Sequence, residues 1–134
     1  MNDTLEKAEV DSMYRDFILD LYRYPLNKKI MTDFDVEHRE YNPLCGDDIT
    51  VQIKFDKGGT VLDIGHQGTG CAISQAAVSL ITDAVSGKGK EEIEKIGEKD
   101  VYGLLGFEVV YTRQKCALLG LSAIKYAITK ESLC

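Results

Sequence analysis

The chain has 134 residues, enough for one domain to bury a hydrophobic core. Its 44% apolar and 28% charged residues are ordinary for a globular protein and exclude a largely disordered or fibrous chain. The 22 acidic and 16 basic side chains give a formal charge of −6, which argues against a nucleic-acid partner. We therefore predict a single domain over residues 1–134.

No apolar run approaches the roughly 18 to 20 residues that span a bilayer, and the N-terminal segment is charged, unlike a signal peptide. We expect no membrane association and a cytoplasmic location. The four cysteines are interpreted as thiols, because nothing marks the chain for export. They are too far apart for a CxxC pair or a zinc knuckle, so only folding can bring them to one site.

The first half of the chain predicts one helix and the start of a sheet. Apolar residues recur at helical spacing over Val10–Tyr24, and Pro25 ends that helix. Leu26–Thr32 is predicted to be a connector, and the weaker alternation over Asp33–Tyr41 predicts an edge strand. The pair Asn42–Pro43 is typical of a turn.

A β-hairpin is the clearest local prediction. Apolar and polar residues alternate over Asp48–Phe55, which is the period of a half-buried strand. Asp56–Gly59 is a tight-turn sequence, and the alternation resumes over Thr60–His66. The two strands should pair in an antiparallel manner.

The second half predicts helices. Gly68–Cys71 is interpreted as a flexible turn leading into a helix over Ala72–Ser86, which Gly87 ends. A short helix is predicted over Lys90–Ile96, and the last helix over Cys116–Thr129. A looser region is expected between them, through Gly97, Gly103 and Gly106. Early strands and late helices favour an α+β sandwich.

Cys71 and Cys116 are thus both predicted to lie at helix N-termini. Unpaired backbone N–H groups and the helix dipole there favour the thiolate, which binds metal and attacks sulfur. Cys45 lies in a loop two residues before Asp47, so a thiolate and a carboxylate could reach one ion. Taken singly, each cysteine is interpreted as a small core residue and Asp47 as a turn residue.

Three cysteine-centred segments carry further information: Asn42-Pro-Leu-Cys45-Gly-Asp47, Gly68-Thr-Gly-Cys71-Ala-Ile-Ser74 and Arg113-Gln-Lys-Cys116-Ala-Leu-Leu119. They resemble, in the same order, the three cysteine motifs of the NifU-N-terminal family of iron–sulfur cluster scaffolds, which includes IscU and SufU. The segments Tyr24–Asn27 and Thr82–Lys88 resemble the family as well, so the likeness covers about residues 10–130.

The resemblance implies a three-stranded antiparallel sheet packed against several α-helices, the SufE/NifU-like two-layer α+β sandwich. It implies that Cys45, Asp47, Cys71 and Cys116 hold an iron–sulfur cluster, 2Fe–2S or alternatively 4Fe–4S, with Asp47 as the displaceable ligand. Sulfur would come from a cysteine desulfurase and the cluster would pass to apo iron–sulfur proteins, so the chain would be a carrier and not an enzyme. A homodimer sharing a cluster is possible.

The branch of the family stays open. Lys115 stands where IscU proteins have a histidine, whereas Arg113 resembles SufU, yet the SufU insert between the second and third cysteines is missing. The sulfur acceptor would be Cys45 by analogy with SufU or Cys116 by analogy with IscU. An alternative function is a zinc-dependent SufU-type sulfurtransferase, and a third hypothesis is a purely structural zinc module.

Several other residues receive weaker predictions. Arg113 and Lys115 are expected to lie beside the thiolates and to lower the thiol pKa values. His66 could approach the site but is interpreted as an ordinary surface or loop histidine. Cys134 belongs to no motif.

Overall fold

The computed structural model describes residues 14–44 and 46–133, and for the last three of these the backbone alone. Cys45 and Cys134 therefore lie outside the described residues. The elements in chain order are α1 (14–23), β1 (Val36–Asn42), β2 (Asp47–Phe55), β3 (Val61–Thr69), α2 (Ala72–Val85), α3 (Lys90–Glu94), α4 (Glu98–Leu105), a 3₁₀ turn (Tyr111–Arg113) and α5 (Gln114–Leu133).

The sheet has three antiparallel strands in the order β1-β2-β3, which confirms the predicted fold class. The predicted hairpin is formed by β2 and β3. Its turn is closed by Asp56, whose Oδ1 accepts hydrogen bonds from the N–H groups of Gly58 and Thr60, both 2.9 Å long. Gly59 adopts a φ of +80°, which glycine tolerates without strain.

Helices α2 and α5 pack against one face of the sheet and against each other. The alternation predicted for β2 places Ile49, Val51 and Ile53 on this face, each 0% exposed. On the helix side they meet a core that includes Ile81 and Ile124. Full burial of each such side chain stabilises the fold by roughly 1.5 to 3 kcal/mol, so the two layers are held mainly by the hydrophobic effect.

The predicted connector is fastened to β3. The N–H of His66 donates to the carbonyl of Asn27 over 3.0 Å, and the N–H of Lys29 donates to the carbonyl of His66 over 3.1 Å. The His66 ring is 1% exposed, and its Nε2 lies 2.8 Å from the carbonyl oxygen of Leu26. The prediction of a surface or loop histidine is therefore wrong, because β3 continues past His66 and buries it.

The predicted flexible turn at Gly68–Cys71 is also wrong in its first half. Gly68 pairs with Ile49, and β3 runs to Thr69. Gly68 has a φ of +128°, and a Cβ on it would lie 1.9 Å from the carbonyl oxygen of Asp48. Glycine at this position lets the strands approach closely and does not mark a loose segment.

The looser region expected through Gly97, Gly103 and Gly106 is instead helix α4. Gly97 is its N-cap, and Gly106 ends it in the left-handed conformation with a φ of +87°. Val101 and Leu105, one helical turn apart, are both 0% exposed. The flanking glycines therefore cap a helix whose formation is driven by burial.

The other predicted elements agree with the structure to within a few residues at their ends. The part of the first predicted helix before residue 14 lies outside the described residues. No helix in the described part of the chain is long and apolar enough to cross a membrane.

Candidate metal centre

The starts of one strand and two helices meet at one place in the fold. Asp47 is the first residue of β2, Cys71 is the N-cap of α2, and Cys116 lies in the first turn of α5. A carboxylate oxygen of Asp47 and the two Sγ atoms all lie within 4.8 Å of one another. The structure thus brings together three of the four predicted site residues, and the fourth, Cys45, is not among the described ones.

The carboxylate of Asp47 is 2% exposed, and its two oxygens have different surroundings. Oδ1 accepts a hydrogen bond of 3.0 Å from the backbone N–H of Cys71. Oδ2 is buried and has no hydrogen-bond partner within residues 14–44 and 46–133. A buried, unpaired carboxylate oxygen is costly unless a cation satisfies it, and this one belongs to a group that also contains two thiols. The donor set therefore fits a metal ion.

Cys71 is held by the first turn of α2. Its Sγ accepts a hydrogen bond of 3.5 Å from the backbone N–H of Ser74. Its carbonyl accepts two bonds of 3.0 Å, from the Ser74 hydroxyl and from the Gln75 N–H. Because the Cys71 N–H is bonded to Asp47, the N–H, the carbonyl and the sulfur of Cys71 each have a hydrogen-bond partner.

Cys116 is 2% exposed, and it is a thiol like Cys71, as predicted. The N-termini of α2 and α5 both reach the site, and the partial positive charge at a helix N-terminus favours anionic ligands. A fold that directs two helix N-termini and one strand end to the same point can therefore hold thiolates and a carboxylate together.

Arg113 and Lys115 are both exposed, and both precede the buried Cys116 in the chain. Lys115 lines a groove of about 260 Å³ with Asn42 and Pro43, which precede Cys45 in the chain. Lys115 therefore lies beside the segment that leads to Cys45, and the effect of both cations on the thiolates stays a prediction. His66 is 1% exposed within β3 and is not among the residues grouped at the site.

Two further residues of the site were missed by the sequence reasoning. The Cα of Gly70 is packed so tightly that an added Cβ would lie 2.3 Å from Ser74 Oγ and 2.9 Å from Asp47 Oδ1. Ser74 is 0% exposed and makes both bonds to Cys71 described above. The signal available in the sequence was their place in the motif Gly68–Ser74, where only Cys71 was considered.

An apolar groove of about 570 Å³ adjoins the site and was not predicted either. It lies between α1, the start of α2 and the segment after α4, and its lining includes Ile18, Ala72, Ile73, Phe107 and Val110. Ala72 and Ile73 follow Cys71 directly in the chain.

The fold and the site together define an α+β domain in which one strand end and two helix N-termini bring a carboxylate and thiols to one point. Residues 13–131 match the model of the NifU-like N terminal domain, and the chain belongs to this family. The resemblance noted in the sequence is thereby confirmed.

Relatives and solved structures agree with this assignment. The chain is 35% identical to the zinc-dependent sulfurtransferase SufU of Bacillus subtilis, over 92% of its own length and 95% of the relative's. It is 34% identical to the iron–sulfur cluster assembly scaffold protein IscU 1 of Archaeoglobus fulgidus, over 87% and 74% of the two chains. The crystal structure of a nitrogen-fixing NifU-like protein (N-terminal) from Brucella abortus superposes with a TM-score of 0.77 at 21% identity, covering 92% and 97% of the two chains, which shows the shared fold.

Proposed function

We propose that this chain is a scaffold on which an iron–sulfur cluster is assembled and from which it is handed to apo iron–sulfur proteins. The observation that carries the proposal is the convergence of Asp47, Cys71 and Cys116 within 4.8 Å, with one buried carboxylate oxygen unpaired among the described residues. Relatives named as iron–sulfur cluster assembly scaffolds support it. The cluster is the cargo of such a protein and not its resident cofactor.

The proposed ligands are Cys45, Cys71, Cys116 and Asp47. Thiolates are soft donors that suit cluster iron, and a carboxylate is a harder donor that is displaced more easily. Asp47 Oδ2 is the oxygen available for this role, since Oδ1 is bonded to the Cys71 N–H. Cys45 is included by its place in the motif, two residues before Asp47. A 2Fe–2S cluster is the favoured cargo, and 4Fe–4S is the alternative.

In this function the chain would be a carrier and not an enzyme. It would accept sulfur from a cysteine desulfurase and later release the finished cluster. A thiolate of the chain attacks the terminal sulfur of a persulfide on a cysteine desulfurase. The S–S bond of that persulfide breaks, and its electron pair leaves with the desulfurase cysteine as thiolate. Cys45 and Cys116 are the candidate acceptors. Because Cys116 is 2% exposed, its attack requires the site to open first.

A zinc-dependent sulfurtransferase is the second candidate function. It is favoured by the relative of that name from Bacillus subtilis, which matches the chain over nearly the whole length of both. Zinc accepts thiolate and carboxylate ligands in tetrahedral sites, so the same four residues would hold it. In this case one cysteine would leave the metal to accept sulfur.

Metal analysis separates the two functions. The protein is purified under anaerobic conditions, and iron, acid-labile sulfide and zinc are counted per chain before and after incubation with iron(II), cysteine, a desulfurase and a thiol reductant, which supplies the electrons that convert persulfide sulfur to sulfide. Near-equal iron and sulfide, lost in Cys45→Ala, Cys71→Ala and Cys116→Ala but kept in the control Cys134→Ala, is the result expected for a scaffold. One persistent zinc, no cluster and a stimulated desulfurase would instead establish the sulfurtransferase.

A further inference from the structure

We propose that Ser74 is a positioning residue that fixes Cys71 in the site, and that residue 70 is glycine so that Ser74 can do so. The inference rests on the proposed function, because it assigns the residue that holds one of the proposed ligands in place. Cys71 then stays where it is while the cargo is exchanged.

Ser74 makes two hydrogen bonds to Cys71, one from its backbone and one from its side chain. Its backbone N–H reaches the Cys71 sulfur at 3.5 Å, and its hydroxyl reaches the Cys71 carbonyl oxygen at 3.0 Å. The first bond fixes the side chain and the second fixes the peptide group. Ser74 is 0% exposed, so water does not compete for these bonds.

The Cys71 carbonyl oxygen accepts two hydrogen bonds. It already accepts the N–H of Gln75, the ordinary bond of the first helical turn, at 3.0 Å. The hydroxyl of Ser74 is therefore not needed to close the helix. Its bond restrains the carbonyl group of Cys71, whereas the bond to Asp47 restrains the N–H group of the same residue.

Gly70 packs closely against the Ser74 side chain. An added Cβ would lie 2.3 Å from the Ser74 hydroxyl oxygen, well inside van der Waals contact. Any larger residue at position 70 would displace that hydroxyl from Cys71. The same Cβ would lie 2.9 Å from Asp47 Oδ1, so glycine at position 70 leaves room for the two side chains that bond Cys71.

Ser79 offers a matched control. It lies on the same helix, is also 0% exposed, and its Oγ has no hydrogen-bond partner among the described residues. Ser74→Ala and Ser79→Ala therefore remove the same atom from equally buried positions of α2. The two variants differ in whether the hydroxyl holds Cys71.

The test uses the full chain loaded with zinc, or with cobalt(II) as a spectroscopic substitute. Ser74→Ala should release zinc to a chelator about fivefold faster than the wild-type chain, the change expected from one buried hydrogen bond. It should also alter the thiolate-to-cobalt absorption band. Ser79→Ala should match the wild type in both measurements. Equal release rates and spectra for the two alanine variants would overturn the assignment.

A second substitution tests the same bond from the other side. Gly70→Ala should speed zinc release as well, and its effect should shrink in the Ser74→Ala background, where the nearest clashing atom is absent. If the two substitutions multiply the zinc release rate independently of each other, the role given to Gly70 is contradicted. If one single variant folds poorly, the other is compared with the wild type and with Ser79→Ala, and release at the wild-type rate contradicts the assignment.

Failure of the proposed function would be recognised separately. If the wild-type chain binds neither zinc, cobalt nor an iron–sulfur cluster, the function is wrong. Iodoacetamide labelling of Cys71 in the metal-free protein, followed by mass spectrometry, then still tests Ser74. Labelling should be about fivefold faster in Ser74→Ala than in Ser79→Ala, and equal rates would refute the positioning role.

Discussion

The side-chain amide of Asn27 donates a hydrogen bond of 3.1 Å to the hydroxyl of Thr82, across 55 positions of the chain. Asn27 follows α1 with a φ of 61°, and Thr82 is a fully buried residue of α2. This bond joins two segments that the sequence had singled out separately by family resemblance. It ties the connector beside β3 to α2, the helix whose N-cap is Cys71.

Substitutions at Asn27 should separate the hydrogen bond from the backbone conformation. Asn27→Gly keeps the left-handed φ and loses the bond, so it should lower the free energy of unfolding by about 1 kcal/mol. Asn27→Ala loses the bond and also strains the backbone, for a total of roughly 2 kcal/mol. Urea unfolding measures both values. A double-mutant cycle with Thr82→Val is the control, and additive effects would show that the two side chains do not interact.

His66 should make the protein less stable in mild acid. Burial lowers the pKa of the ring below its usual 6.5, and the nearby positive charge of Lys28 lowers it further, against a smaller opposite effect of the hydrogen bond to Leu26. The unfolded chain therefore takes up a proton at a pH where the folded chain does not. The stabilising contribution is complete above about pH 6.5 and is lost as the pH falls, by at most about 1.4 kcal/mol per pH unit.

Urea unfolding as a function of pH checks this prediction. His66→Gln can still donate a hydrogen bond to the Leu26 carbonyl but cannot titrate, so its stability should vary less with pH below about 6.5. His38→Gln is the matched control, because the chain has two histidines, both lie in strands, and only His66 is fully buried. The same loss of pH dependence in both variants would rule out His66 as its source.

Asp47 should control how quickly a bound cluster leaves. Asp47→Ala removes the displaceable ligand, so the cluster should last longer and transfer to an acceptor should slow by about tenfold, equivalent to roughly 1.4 kcal/mol in the barrier. Transfer is followed by circular dichroism of the acceptor cluster. Asp47→Asn is the control, because its amide oxygen can still accept the Cys71 N–H. If transfer in both variants is as fast as in the wild type, Asp47 has no such role.

Gly68 should tolerate no side chain. Gly68→Ala would place a Cβ 1.9 Å from the Asp48 carbonyl oxygen at a φ of +128°, and should lower the free energy of unfolding by more than about 2 kcal/mol. Gly58→Ala is the control, since its Cβ would meet Asp56 at an ordinary 3.5 Å. Thermal unfolding of the two variants provides the comparison. Equal melting temperatures would mean that the strands separate here at little cost.

Local patterns were sufficient for most of the fold. The alternation of Ile49, Val51 and Ile53 predicted both the strand and its buried face, because the period of a strand determines which side chains meet the helices. The hairpin turn and the start of α2 at Cys71 also followed from local sequence. These features depend on neighbouring residues alone.

Other features depend on contacts that local patterns do not contain. The glycines at 97 and 106 suggested a loose segment, yet they cap α4, whose helix forms because Val101 and Leu105 reach the core. In the same way, β3 continues through Gly68 because the neighbouring strand approaches closely. Glycine marks a special backbone conformation, and its cause is visible only in three dimensions.

The site was predicted by resemblance and not by spacing. Nothing in the intervals between Asp47, Cys71 and Cys116 shows that they meet, since each comes from a different element. Two features of the site could be found only in the three-dimensional structure: the unpaired Asp47 oxygen and the bonds from Ser74 to Cys71. A difference of a few tenths of an ångström decides whether such bonds form. Cys45 stays a prediction from its motif.

The placement of the three donors has a thermodynamic consequence. Asp47, Cys71 and Cys116 lie at the starts of three elements that are far apart in the chain, so only the folded form presents them together and only the folded form offers an ion all three donors. Ligand binding to the folded form alone raises its apparent stability. Loaded and empty molecules should therefore melt at different temperatures, and a molecule that has delivered its cargo is the more easily unfolded of the two.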